Sequence, residues 1–489
     1  MRWRKMMWPG FVALAGAVGL IVSSYSAGAQ APGAAQRATL FEGARLIVGN
    51  GSAPIERSAF VVQGRTIASV GKAGELQAPA GAARVDLTGK TVMPAFVDTH
   101  SHIGYMNEVT NKESEKNFTH AKLLDDLDRF AFAGASLTFS LGSDMPNFID
   151  ARYSDNPQTF VDLREESEQE SFTGARYFTV GRGLAWPGTG NPRSTTFYPV
   201  VSPWLAQAAV RELHAQKVKF IKLWVEDRNG FKDPKSKERA VLTPESYRAA
   251  IAEAHRLGMK TIGHVKTLVE IKDMLRAGLD YSTHPIGDVP IDDEFLAMLK
   301  ERPGFRNIPA LTPAGLGGSA PRAAGQRPDW LNDPVLTSLK CPAFLDQWGQ
   351  ALAKRATPPG GGVEGQNVAR LHKAGVGLVL GSHDAGGTRP LGWGLHMEIE
   401  AFVNWVGMTP NEAITSATGD AAKFMGVEER LGTLAAGKGA DFIVLDANPL
   451  EDIRNTRKIN QVYLRGKQVD RAAMKSRWAA ECKAAAATQ

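Results

Sequence analysis

The stretch Pro94-Ala95-Phe96-Val97-Asp98-Thr99-His100-Ser101-His102 decides the fold, because an apolar, strand-like run ends there in a His-x-His pair. Side chains alternate between the two faces of a strand, so His100 and His102 project from the same face. Imidazole nitrogens are good ligands for zinc and neighbouring transition metals. The stretch therefore predicts a strand whose end carries part of a metal site.

The central region alternates strand-like apolar runs with amphipathic, helix-like stretches such as 244–257 and 268–277. Strands are predicted at 135–141, 176–180, 218–225, 260–263, 307–311 and 377–380. A glycine that could end the preceding helix stands before several of these strands, at Gly134, Gly258, Gly278 and Gly375. This alternation predicts an α/β fold with a parallel sheet, either a (β/α)8 TIM barrel or a doubly wound sheet.

The position of the polar residues favours the barrel. Beyond the His-x-His pair, Lys222, His264, His284 and Asp384 each follow or end an apolar run. Barrel active sites are built at the C-terminal ends of the strands. We therefore predict a TIM barrel over residues 93–430 with these side chains at one end.

Short alternating strands flank this region at both ends of the chain. Segments 38–92 and 431–470 contain β-branched runs separated by turn signals such as Gly49-Asn50-Gly51. Neither segment buries a face alone, so the two halves are predicted to complete one small β-sandwich. The tail 471–489 is predicted to be a helix or frayed.

The first 29 residues have the organisation of a secretory signal peptide. A basic start, Met1-Arg2-Trp3-Arg4-Lys5, precedes an apolar run and an Ala27-Gly28-Ala29 cleavage site. A membrane anchor is the alternative, although the run falls short of the ~20 apolar residues that a span needs. We expect a periplasmic or secreted protein with no stable membrane insertion after removal of the signal.

Composition limits the classes of partner. The 489 residues are 43% hydrophobic and carry a formal charge of +6, but Lys and Arg are scattered and form no basic run interleaved with aromatic residues. We therefore expect a small-molecule substrate and no nucleic acid. Cys341 and Cys482 are the two cysteines. They exclude a cysteine-based zinc site, and the sequence leaves open both their pairing and a homo-oligomeric state.

Three long irregular segments interrupt the predicted core, at 181–203, 303–330 and 357–366. Loops of this length in a compact domain are often lids or disordered insertions. The first contains Trp186 and is predicted to cover the substrate.

The ordered motifs together resemble the amidohydrolase superfamily, and in particular its imidazolonepropionase-like and Xaa-Pro dipeptidase-like branch. The likeness includes the first-strand histidines, Phe220-Ile221-Lys222-Leu223, the histidines of the fifth and sixth strands, and Asp384-Ala385-Gly386. It implies that His100, His102 and Asp384 bind one zinc ion and that His264 and His284 bind a second. Lys222 would bridge the two as a carbamate.

The chemistry that the resemblance implies is hydrolysis of an amide C–N bond. A bound metal lowers the pKa of water from 15.7 to about 7, which provides hydroxide at neutral pH. Asp384 would act as the general base and pass the proton to the leaving amine. Burial would keep Lys222 neutral, so that its amine can react with carbon dioxide.

Several assignments remain open from sequence. The expected substrate is an N-acyl amino acid or a dipeptide; alternatives are a cyclic amide, an ester, or a xenobiotic amide or carbamate, and more remotely a non-catalytic solute-binding protein. In the family, a small residue directly precedes the aspartate that follows the eighth strand, whereas here His383 lies between Ser382 and Asp384. His383 could therefore be a ligand or contact the substrate. Lys266 could bind a substrate carboxylate or form a structural salt bridge, and His396 has no assigned role.

Overall fold

The computed structural model describes residues 38–145, 159–189, 196–226, 241–311, 323–354 and 361–487. The predicted signal peptide lies outside these residues. Within them, no helix is both long enough and apolar enough to cross a bilayer.

Six short strands open the described chain. They are β1 (Ala38–Glu42), β2 (Arg45–Leu46), β3 (Ser58–Gln63), β4 (Thr66–Lys72), β5 (Ala83–Asp86) and β6 (Thr91–Pro94). Four of them form a sheet in the order β4-β3-β1-β5, in which β1 and β3 are antiparallel.

Ten strands follow in the central region. They are β7 (Phe96–Ser101), β8 (Ala135–Ser140), β9 (Arg176–Thr179), β10 (Leu184–Ala185), β11 (Tyr198–Pro199), β12 (Phe220–Val225), β13 (Lys260–Val265), β14 (Tyr281–Thr283), β15 (Arg306–Ile308) and β16 (Gly377–Leu378). They form two parallel sheets, β7-β8-β9 and β11-β10-β12-β13-β14-β15-β16.

Helices connect these strands. They are α1 (His120–Phe132), α2 (Phe160–Ser167), α3 (Pro203–Ala215), α4 (Pro244–Arg256), α5 (Leu268–Arg276), α6 (Asp293–Lys300), α7 (Pro334–Leu339), α8 (Pro342–Ala353) and α9 (Gly362–Lys373), with 3-10 turns at Glu115–Asn117 and Asp329–Asn332. In α5 the buried Leu268, Ile271 and Leu275 recur at helical spacing, and the chain leaves the helix through Gly278 at φ 102°. The helix therefore covers the sheet with one apolar stripe.

Backbone hydrogen bonds join the two parallel sheets at both edges. The Gly183 N–H donates to the Gly142 carbonyl at 2.8 Å, beside β8 and β10. The His383 N–H donates to the His100 carbonyl at 2.6 Å, and the His102 N–H donates to the Asp384 carbonyl at 2.7 Å. The segment after β16 therefore runs beside β7, an arrangement consistent with the predicted barrel.

The C-terminal region contributes β17 (Phe442–Leu445), β18 (Ile459–Leu464) and β19 (Lys467–Gln468). These strands join β6 and β2 in one sheet, in the order β19-β18-β17-β6-β2. Phe41 and Phe60 from the first sheet pack against Phe442 from the second, with ring centroids 5.2 Å apart in both pairs. Segments from both ends of the chain thus share one apolar core.

Four helices complete the chain, α10 (Gly394–Ala401), α11 (Pro410–Ser416), α12 (Gly419–Met425) and α13 (Arg471–Ala487), with a π-helical turn at Phe402–Val406 and a 3-10 turn at Ile453–Arg457. The predicted tail is therefore helical. A disulfide joins Cys482 in α13 to Cys341, which precedes α8, across 141 residues of sequence.

Three sequence expectations differ from the structure. The segment 181–203 is not wholly irregular, because β10 and β11 lie within it, and residues 362–366 belong to α9 rather than to a loop. Lys222 is the third residue of the six in β12, so it lies in the middle of a strand and not at its end. The apolar run after Lys222 continues to Val225, and pairing with β13 extends over its whole length.

Candidate metal centre

Five histidine rings lie in mutual contact where the parallel strands converge. His100 lies in β7 and His102 follows it, His264 lies in β13, His284 follows β14, and His383 lies after β16. Ring centroids are 5.1 Å apart for His100 and His102, 4.6 Å for His100 and His383, 4.7 Å for His284 and His383, and 4.2 Å for His264 and His284. All five side chains are buried. The structure therefore brings together four histidines that the sequence assigned to metals and a fifth that it left open.

The nitrogens of these rings fit a transition metal. The Nε2 atoms of His100 and His102 are 3.2 Å apart. Nδ1 of His100, Nδ1 of His264 and Nε2 of His284 are buried and have no hydrogen-bond partner among the described residues. Buried polar atoms are normally paired, and an unpaired nitrogen of a neutral imidazole has the lone pair that a metal ligand needs. This donor set suits zinc or a similar ion.

One group meets the spacing of a ligand set within the part of the chain that the structure describes. His100, His284 and His383 each offer a ring nitrogen, and these three atoms lie within 4.8 Å of one another. Asp384 does not belong to this group.

Burial keeps the imidazoles neutral. It is the largest cause that lowers the pKa of His100, His284 and His383 well below the ordinary value, and it lowers the pKa of His264 to about 3. A neutral ring has a lone pair to donate, so these four side chains are in the charge state that a metal requires.

Lys222 lies beside the histidines. Its Nζ donates to Thr283 Oγ1 at 2.5 Å, and burial lowers the pKa of its amine well below the usual range. On the same face of β12, Trp224 stacks on Phe197 and its ring lies 4.4 Å from that of His264. Gly142 passes so close that a Cβ there would be 2.8 Å from Lys222 Cβ. The amine is thus enclosed and neutral, as a lysine that reacts with carbon dioxide must be.

The Asp98 carboxylate holds the first strand to the segment after β16. Its Oδ1 accepts the N–H groups of Ser382 at 2.8 Å and of His100 at 3.2 Å, and its Oδ2 accepts the hydroxyls of Thr138 and Ser382 at 2.9 and 3.0 Å. Burial raises the pKa of Asp98 to about 7. Asp98 therefore fixes the backbone on both sides of the histidine cluster, a role that sequence analysis did not assign.

Asp384 is buried, and its carboxylate faces the start of α10. Oδ2 accepts the Gly392 N–H at 2.8 Å, and a Cβ on Gly394 would lie 1.9 Å from Oδ1. Burial, followed by the nearby Asp98, raises the pKa of Asp384 well above the ordinary value.

The remaining predicted residues lie at the margin of the cluster. Lys266 Nζ is 3.2 Å from Glu226 Oε1, while the other oxygen of Glu226 contacts His264 Nε2. Sequence analysis missed Glu226, although it directly follows β12. Trp186 is half-buried after β10, and residues 190–195 of the predicted covering loop lie outside the described residues. His396 bonds Thr456 Oγ1 and the Ala133 carbonyl at 3.1 and 3.0 Å, so both of its nitrogens are engaged elsewhere.

Known proteins resemble this chain over different lengths. The family model described as the amidohydrolase family matches residues 362–469. An imidazolonepropionase from Aeromonas salmonicida is 40% identical over 85 residues, which are 17% of this chain and 20% of that protein. An ochratoxinase from Aspergillus niger is 25% identical over 456 residues, 86% of this chain and 83% of that enzyme.

Solved structures extend the likeness to nearly the whole fold. A putative prolidase from Bifidobacterium longum superposes with a TM-score of 0.66 at 22% identity, covering 91% of this chain and 99% of that one. Together these matches support an amidohydrolase superfamily member. These findings confirm the resemblance inferred from the strand-end motifs at this level. The chain spans only about a fifth of the length of the imidazolonepropionase that it matches.

The Asp98 network gives a first prediction. Asp98→Asn replaces one acceptor oxygen with an NH2 group, which must face either the two backbone N–H groups or the hydroxyls of Thr138 and Ser382. Zinc affinity, measured by competition with a chelator, should fall about 10–100-fold, as for other residues that orient ligands. Asp126→Asn is the matched control, because this buried carboxyl accepts the Gly104 N–H and pairs with Lys122. Unchanged zinc affinity in Asp98→Asn would contradict the positioning role.

Proposed function

We propose that this amidohydrolase is a metal-dependent hydrolase that cleaves an amide C–N bond in a small molecule. The observation that carries the proposal is the cluster of five buried histidine rings beside the buried Lys222 amine. The family resemblance supports the proposal, because it implies that the strand-end histidines bind metal. A solute-binding protein would not require these groups to be gathered and desolvated.

The proposed ligands are His100, His102, His264 and His284, with Lys222 as a carbamate that bridges two zinc ions. The family resemblance further assigns Asp384 to the first ion. A bound metal would supply an acidified water and a Lewis acid for the substrate carbonyl. The unpaired nitrogens of His100, His264 and His284 support this assignment.

The chain's own residues would orient the reaction and move the proton. We propose Asp384 as the general base, which accepts a proton from the attacking water at a carboxylate oxygen and returns it to the leaving nitrogen. Trp224 and Phe197 form an apolar wall that limits access of bulk water to the cluster. Asp98 keeps the two strands that carry these groups in register.

The substrate is proposed to be an N-acyl amino acid or a dipeptide. Lys266 is partly exposed at the margin of the cluster, where it could pair with a substrate carboxylate in place of Glu226. Trp186 would contact an apolar group. The names of the relatives, an imidazolonepropionase, an ochratoxinase and a putative prolidase, keep cyclic amides and xenobiotic amides as a second candidate class.

We also propose that the parallel strands form a closed (β/α)8 barrel and that the two flanking sheets form a β-sandwich. The hydrogen bonds between β7 and residues 380–384 support the closure. The proposed boundaries are 93–430 for the barrel, and 38–92 with 431–470 for the sandwich.

Export is proposed on two grounds, the signal-like sequence of residues 1–29 and the disulfide between Cys341 and Cys482. Disulfides form mainly in oxidising compartments such as the periplasm. An intact Met1 in protein recovered from the cell would contradict export with cleavage.

A substrate panel tests the proposed reaction. We expect native protein to hydrolyse at least one N-acyl amino acid or dipeptide, and His100→Ala to lose this activity because it removes a ligand. His120→Ala is the matched control, since this histidine pairs with Glu166 on the surface. Turnover confined to cyclic amides, esters or carbamates would favour the second class, and no hydrolysis of any of these would contradict the proposal.

The carbamate is tested at Lys222. Lys222→Ala should lower both zinc content and turnover, the latter at least about 100-fold, because the bridging oxygen ligand is lost. Lys272→Ala, which removes a lysine paired with Asp292 and Glu294, should keep both. Native protein prepared with 13C-bicarbonate should show a carbamate carbon by NMR. Full zinc content in Lys222→Ala would exclude the bridge.

A further inference from the structure

We propose that His383, and not Asp384, supplies the metal ligand of the segment after β16, and that it completes a three-histidine ligand set with His100 and His284. The inference rests on the proposed metal-dependent function. It revises the ligand assignment of that site in two respects: His383 replaces Asp384 as a ligand, and His284 shares an ion with His100. Asp384 is then a base that does not bind the metal.

The position of the His383 ring is the first argument. Its centroid lies 4.6 Å from that of His100 and 4.7 Å from that of His284. These three residues form the group whose ligand atoms fall within 4.8 Å of one another. Both partner rings have an unpaired buried nitrogen, Nδ1 of His100 and Nε2 of His284. Buried ring nitrogens without a partner are uncommon in proteins, and they support metal binding by these rings.

The backbone explains how the ring reaches the cluster. His383 has φ 54° and His284 has φ 73°, in the left-handed region that side chains other than glycine seldom adopt. Two histidines of one cluster share this costly conformation, and such strain is concentrated at functional sites. The backbone is fixed at His383 and at Asp384. The His383 N–H donates to the His100 carbonyl, and the Asp384 carbonyl accepts the His102 N–H.

The Asp384 carboxylate is engaged elsewhere. Its Oδ2 accepts the Gly392 N–H at 2.8 Å, and its Oδ1 packs against Gly394, where no Cβ could be accommodated. The left-handed backbone at His383 breaks the two-residue alternation of a strand, and the His383 ring, rather than the Asp384 carboxylate, joins His100 and His284. His383 thereby takes the place that the family resemblance gives to the aspartate.

Arg389 does not obstruct this role. One of its terminal nitrogens lies 3.3 Å from Nδ1 and 3.1 Å from Nε2 of His383, and 3.2 Å from the His383 carbonyl oxygen. An atom almost equally distant from both ring nitrogens is in line with neither lone pair. We interpret the contact as a guanidinium packed against the ring and held by the carbonyl, which leaves an in-plane lone pair for a metal.

The test compares asparagine substitutions at two neighbouring positions, His383→Asn and Asp384→Asn, in the full chain. Each variant is stripped of metal, titrated with Co²⁺ and examined by its visible absorption and by metal stoichiometry. We expect His383→Asn to lose one site or to weaken it more than about 100-fold, beyond the effect typical of orienting residues. Asp384→Asn should bind within about 10-fold of native protein, with the native Co²⁺ spectrum, and should still lose turnover.

The outcomes separate this inference from the proposed function. If His383→Asn keeps the native metal affinity and spectrum, the inference is overturned while the hydrolase proposal stands. The same conclusion follows if only Asp384→Asn loses metal. A native protein without bound metal and without hydrolytic activity would reject the proposed function itself. If His383→Asn does not fold, an anomalous-scattering map of zinc-loaded native crystals decides, because a ligating His383 nitrogen must lie at about 2.0–2.1 Å from the ion.

Discussion

The shared burial of five imidazoles and one lysine amine is the constraint on which the rest of the structure depends. In water each group would be solvated, and several would carry charge near neutral pH. Here burial lowers the pKa of the Lys222 amine and of four of the rings, so the cluster avoids the repulsion of adjacent cations. Burial also leaves three ring nitrogens without a hydrogen-bond partner among the described residues, which is unfavourable. A divalent ion resolves both difficulties, since it requires neutral imidazoles and uses their lone pairs.

The fold serves this cluster by bringing distant parts of the chain into register. Nearly three hundred residues separate His100 from His383, yet their rings are in contact because β7 lies beside the segment after β16. The buried Asp98 carboxylate joins the same two segments through side-chain and backbone donors. Gly381 permits the close approach, because a Cβ there would lie 2.6 Å from His100 Cβ. Backbone pairing and one carboxylate therefore hold the segments that carry the site.

Periodicity and motif spacing predicted much of this arrangement. The alternation of strands and helices, the glycines that end helices, and the contribution of both chain ends to the flanking sheets are all visible in sequence. The motif also predicted Lys222 as a site residue, although not in the middle of its strand. The direction of a side chain after a strand end was not predictable, because the left-handed backbone at His383 breaks the two-residue period. The roles of Asp98 and Glu226 depend on partners far away in sequence, and the pairing of Cys341 with Cys482 depends on how α13 packs.

Metal analysis of native protein, purified without added metal and assayed before and after chelation, tests the central claim most directly. The account predicts close to two equivalents of a transition metal, loss of hydrolysis as the metal is removed, and recovery when zinc is restored. Protein that is free of transition metal and retains full hydrolytic activity would contradict it.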